Sequence, residues 1–186
     1  MTSMFFGLLL WSLVHFVPSV ATGIKEAWVS RMGENGYKLS FTLLIAISLV
    51  LIVLGWRSAL PSQLYLPPIG SRHLAFLLLA LAFLLFGAAQ QPTRIKRLVR
   101  HPQLSGVIAW SIAHLMLIGD TRSILLFTWL AAWAALEIMF INRRDGAWVK
   151  PQAPGCGREA AGAVISLGIF LLVALAHPYF TGMPVF

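Results

Sequence analysis

Two of the five histidines stand inside long apolar runs, and each follows a tryptophan by four residues. The two stretches read Trp11-Ser12-Leu13-Val14-His15 and Trp110-Ser111-Ile112-Ala113-His114. A spacing of four puts Trp and His on one face of a helix. Each histidine falls about 12 residues into its run, roughly 18 Å from the face where that helix starts. The two runs travel in opposite directions, so both rings are expected near the bilayer midplane. A polar ring at that depth has no water to satisfy it and marks a functional position. Two chemistries fit: hydrogen bonding between packed helices, or axial ligation of a haem iron. Zinc would require third and fourth ligands at the same depth, and the sequence offers none. The single Cys156 rules out an internal disulfide and argues against a cysteine-based metal site. The matched pentapeptides have the form of an inverted repeat, although the remaining spans show no convincing continuation of it.

Other residues of chemical interest lie nearer the ends of the runs. Arg100-His101-Pro102, preceded by Arg94, Lys96 and Arg97, forms a basic mouth to the fourth run. It reads either as a loop facing anionic lipid or as an anion site, where free amides and the helix dipole favour negative charge. His73 and His177 lie near the outer ends of the third and sixth runs and read as interfacial. Glu137 is the one acid within a span; it either reaches toward Arg143 and Arg144 or faces inward along a proton path. Asp120 is expected to cap the turn after Gly119.

The elements that position these residues follow from composition. Of the 186 residues 59% are hydrophobic and only 11% charged, with a mean hydropathy of +0.82. Soluble domains carry about a quarter charged residues. Apolar runs of roughly 20 residues recur, enough to cross a ~30 Å hydrocarbon layer as a helix. Lipid offers backbone amides no partner, so the spans are helices or a closed barrel, and the absence of period-two alternation excludes the barrel. The expected fold is therefore all-α, a single polytopic bundle of six transmembrane helices near residues 4–22, 39–59, 73–91, 102–119, 123–141 and 160–180. Pro102 suits the first turn of the fourth, which is short. Residues 1–24 carry no Lys or Arg, so the first run is expected to be a retained helix rather than a signal peptide. Pro61, Pro67, Pro68 and Gly70 exclude helix from the loop 60–72. A flexible linker is expected at 150–157.

Loop charge fixes an orientation. Six spans put Lys25, Arg31, Lys38, Arg94, Lys96, Arg97, Arg100, Arg143, Arg144, Lys150 and Arg158 on one side, and only Arg57, Arg72 and Arg122 on the other. The basic side is expected to be cytoplasmic, which places both termini in the periplasm of a bacterial inner membrane. The same bias accounts for the net charge of +8 through contact with membrane lipid. No basic-aromatic stripe suggests nucleic acid.

Val14-His15, Leu64-Tyr65-Leu66-Pro67-Pro68 before Arg72-His73-Leu74, Arg100-His101-Pro102-Gln103 and Trp110-x-x-Ala113-His114 together resemble the NnrU family. That family is associated with nitrite and nitric oxide reduction and is similar to the 15-cis-ζ-carotene isomerases. Arg-His-Pro alone is a weak motif, but here another histidine follows 13 residues after its own. The resemblance implies a haem b whose iron is held by two histidines matching His15 and His114. Trp11 and Trp110 are then expected to line the haem, with Arg97, Arg100 and His101 supplying cations for its propionates. It further implies a redox-dependent isomerase acting on a hydrophobic polyene, or a component that exchanges electrons with a donor in support of nitrite and nitric oxide reduction. Ile118-Gly119-Asp120 departs from the Asn-Gly-Asp common in the family. Arg-His-Pro also resembles the S-adenosylmethionine-dependent membrane methyltransferases of the isoprenylcysteine and phospholipid type. Those pair it with a downstream acidic doublet, and only Glu137 stands in that region here.

Overall fold

Helix formation in this chain follows from backbone satisfaction, and the computed structural model describes the outcome for residues 1–182. Six α-helices form: α1 (Thr2–Val20), α2 (Thr22–Ser58), α3 (Ser71–Gln90), α4 (Pro102–Leu117), α5 (Thr121–Asp145) and α6 (Cys156–Thr181). A single 3-10 turn, Arg94–Arg97, precedes α4. Among the described residues there is no strand, only an isolated bridge between Gln63 and Asp120.

Five helices, all except α4, are long and apolar enough to cross a membrane. Their outward surfaces match that role: Leu43, Ile47, Val50 and Leu54 of α2 are all about half exposed, as are Leu13 and Leu172 on other helices. The interior is richer in small and polar groups, with Ser48, Ser111 and Ser123 fully buried. Lipid tails are as apolar as leucine, so helices associate through close packing and hydrogen bonds rather than by expelling water. The fourth helix begins at Pro102 as expected but ends at Leu117, two residues early. Its 16 residues give it about 24 Å of length at 1.5 Å per residue.

The chain divides into two compact units, residues 1–67 with 118–147 and residues 68–117 with the chain from Trp148 onward. In the first unit α1 packs along α2 and against α5. The approach of α1 to α2 is so close that a Cβ at Gly55 would overlap the backbone of Met4, and one at Gly7 would lie 2.8 Å from Ile52 N. Met4, Leu8 and Ile52 form the core of this contact, with Trp56, Leu126 and Trp129 packed on it. The loop after α2 runs along the turn before α5: Leu64 and Tyr65 amides donate to the Gly119 carbonyl at 2.8 and 3.1 Å, and Thr121 N donates to Ser62 O at 2.9 Å. A side chain at Gly119 would collide with the Tyr65 carbonyl. These bonds hold 118–120 out of helix and explain the early end of α4. Asp120 caps α5 as expected, accepting from Ser123 N at 2.8 Å.

One expectation is corrected in this unit. Residues 23–38 were expected to form a connecting loop, yet α2 starts at Thr22 and bends at Gly33, whose φ of 70° and ψ of 169° interrupt the helix. The connection is therefore a helical arm, 22–32, hinged to a long stem, 34–58. A glycine serves at the hinge because positive φ is strained for residues with a Cβ.

In the second unit α3 packs against both α4 and α6. Ser71 Oγ donates to the Met116 carbonyl at 2.9 Å, pinning the start of α3 to the end of α4. Ala75, Leu79 and Ala113 form the core, with Trp110, Met116 and Phe170 around them. The 3-10 turn is fixed by Thr93, whose hydroxyl accepts from Ile95 N at 2.8 Å, and by Glu159, which accepts from Arg94 N at 3.0 Å. The linker before α6 is non-helical through Gly155.

Candidate functional site: two tryptophan-anchored histidines

Within the first unit, His15 sits on the α1 face turned toward α5. Its Nδ1 lies 2.9 Å from the Trp11 carbonyl. A carbonyl can only accept, so Nδ1 carries the proton and the neutral ring keeps its lone pair on Nε2. The carbonyl is available because a histidine four residues on leans back along its own helix. Three aromatic rings surround the imidazole: Trp11 at 4.3 Å between centroids, Trp133 of α5 at 5.0 Å and Phe41 of α2 at 5.6 Å. The indole nitrogens of Trp11 and Trp133 are buried without a hydrogen-bond partner. Each such donor is costly to leave unpaired. Two of them flanking an imidazole suit a site that receives a ligand bearing acceptors.

Polar pairs also cross the α1–α5 contact. Trp129 Nε1 donates to Ser12 Oγ at 2.9 Å, and Ser12 in turn donates to the Leu8 carbonyl at 2.9 Å. One turn beyond His15, Ser19 donates to Glu137 at 3.0 Å. Glu137 is thus drawn into the α1–α5 contact. Arg144 turns instead to the Pro18 carbonyl at 2.7 Å and to Asp145.

Within the second unit, His114 repeats the first arrangement. Its Nδ1 lies 2.8 Å from the Trp110 carbonyl, and the Trp110 ring stands 4.6 Å away, tilted by 52°. The neighbouring Ala113 is fully buried. His177 of α6 is half-buried, with its Nδ1 3.0 Å from Thr181 Oγ1. His73, by contrast, is exposed.

The basic residues singled out in sequence gather at the other end of α4. His101 immediately precedes the helix and its carbonyl accepts from Ser105 N at 3.0 Å; Arg97 is exposed, and Arg100 is half-buried. Thirteen residues separate His101 from His114, roughly 20 Å of helix. The structure does not bring Arg97, Arg100 and His101 beside the His114 ring.

Sequence reading overlooked Trp133 and Phe41 as neighbours of His15, and Ser19 as the partner of Glu137. A signal for one of the three existed: Trp133 recurs at four-residue spacing with Trp129 and Glu137 and so shares one face of α5 with them. Among the described residues no three His, Cys, Asp or Glu side chains gather as a metal-binding group. Each unit instead holds one imidazole whose Nδ1 is anchored to a tryptophan carbonyl.

The family model described as NnrU protein matches residues 3–185, and the chain belongs to the NnrU family. No curated protein and no solved structure matches it.

Proposed function

We propose that this NnrU-family membrane protein binds haem b, whose iron His15 and His114 would hold. The observation that carries the proposal is the shared anchoring of the two rings. Each Nδ1 is held by the carbonyl of a tryptophan four residues earlier, which fixes the tautomer and puts the ring lone pair on Nε2, the nitrogen through which a metal would be ligated. Metal-ligating histidines are held this way by a second hydrogen bond that orients the ring and raises its basicity. The unpartnered indole donors of Trp11 and Trp133 beside His15 add a second feature of a ligand site, and Trp110 supplies the equivalent aromatic wall beside His114. Arg97 and Arg100, with His101 beside them, would offer hydrogen-bond donors to the carboxylates that haem carries.

Bound haem would supply a one-electron couple and, with one imidazole displaced, an open iron position. The second property suits a redox-dependent isomerase working on a hydrophobic polyene; the first suits a component that passes electrons in support of nitrite or nitric oxide reduction. We place the protein in a bacterial inner membrane with both termini periplasmic, on the strength of the one-sided distribution of Lys and Arg.

The test is spectroscopic. Wild-type protein purified in mild detergent should give a six-coordinate b-type spectrum. His15→Ala and His114→Ala should each lose haem or become five-coordinate, while exposed His73→Ala stays pigmented. If His177→Ala loses pigment and His15→Ala does not, the second ligand belongs to α6 and the assignment of His15 is wrong. Carbon monoxide binding to the ferrous protein separates the two roles: an exchangeable imidazole supports the isomerase, and an unchanged spectrum supports electron transfer.

A further inference from the structure

The helical arm 22–32 carries an apolar stripe that the stem covers only in part. Ile24, Trp28 and Met32 recur at four-residue spacing and form one stripe. Lys25 and Arg31 flank that stripe on either side, while Thr22, Glu26 and Ser30 occupy the opposite face. Ile24 and Met32 are 61% and 54% exposed, so the stripe is largely open.

The hinge at Gly33 determines which way the stripe points. The Trp28 ring meets Tyr37 of the stem edge-on, 5.1 Å between centroids, and the Ser40 hydroxyl donates to Met32 Sδ at 4.0 Å. The stripe therefore faces the direction in which the stem enters the membrane. The arm itself directly follows α1, another membrane-crossing helix. An apolar stripe turned toward the bilayer, long cations on both flanks and an acid on the far face are the layout of a helix lying in a membrane interface. Lysine and arginine on such flanks extend their charges to the headgroup level while their stems cover apolar surface.

We propose that the arm lies in the headgroup zone and binds anionic phospholipid, with Ile24, Trp28 and Met32 in the acyl boundary and Lys25 and Arg31 on lipid phosphates. The proposal does not depend on the haem reading.

The test uses full-length protein carrying Cys156→Ser and one new cysteine at a time, labelled with a nitroxide. Stripe positions are Ile24→Cys and Met32→Cys; opposite positions are Thr22→Cys, Glu26→Cys and Ser30→Cys. Leu43→Cys on the stem reports correct insertion in every sample. In vesicles of phosphatidylcholine with phosphatidylglycerol, the ratio of oxygen to aqueous nickel accessibility should be severalfold higher on the stripe than opposite it. Lys25→Glu with Arg31→Glu, or vesicles of phosphatidylcholine alone, should erase most of that difference. Equal ratios on the two faces, with Leu43→Cys reading lipid, overturn the proposal. So does a difference that ignores lipid charge and both reversals, or one that disappears on dilution into excess lipid, which would identify a second copy as the occupant.

Discussion

The Ser19 hydroxyl donates to the Glu137 carboxyl across the α1–α5 contact at 3.0 Å, and Glu137 is only 6% exposed. An acid this deep among apolar side chains holds its place only where the opposite helix provides a donor.

A double-mutant cycle on Ser19→Ala and Glu137→Gln should return a coupling of about 0.6–1.7 kcal/mol, the range for hydrogen bonds between membrane helices. Thermal unfolding in detergent, followed by loss of the monodisperse chromatographic peak, gives the four stabilities needed. Strict additivity would show that the bond contributes nothing to the α1–α5 contact.

Close packing of α1 on α2 gives a second expectation. Because a Cβ at Gly55 would overlap the Met4 backbone, Gly55→Leu must push the helices apart and should cost at least about 1–3 kcal/mol, the typical penalty for overpacking. Gly168, which has nothing within 4 Å of its missing Cβ, is the control: Gly168→Leu should unfold at the wild-type temperature.

Arg122 ties the start of α5 to the end of α2. Its guanidinium donates to the Trp56 carbonyl at 3.2 Å, sits 4.6 Å over the Trp56 ring and lies 3.8 Å from Asp120. Arg122→Ala should cost about 1.5–3 kcal/mol, as for hydrogen bonds to charged groups. Arg122→Lys should recover part of this, since it keeps the charge but loses the planar fork. Full recovery in Lys would mean that charge alone matters here.

The one-sided loop charge predicts orientation. A phosphatase reporter that works only outside the cytoplasm should be active when fused after Phe186 and silent when fused after Lys150. The reverse pattern would invert the membrane placement proposed above.

Neighbouring residues alone carry the local part: the apolar core of each spanning helix, Pro102 opening α4, Asp120 capping α5, and a tryptophan one turn before each half-buried histidine. Those follow from apolar runs, fixed backbone preferences and four-residue spacing, all carried by neighbouring residues. The tertiary structure decided the rest. Only packing shows that Trp133 and Phe41 close around His15, that Glu137 belongs to Ser19, and that Tyr65 lies over Gly119 and shortens α4. It also turns the expected loop 23–38 into an arm bent at Gly33. In a soluble helix an apolar stripe names the packed face, but here the lipid-facing and protein-facing sides of each span are both apolar. Periodicity therefore cannot say which residues meet, and only the close approach of one helix to another does.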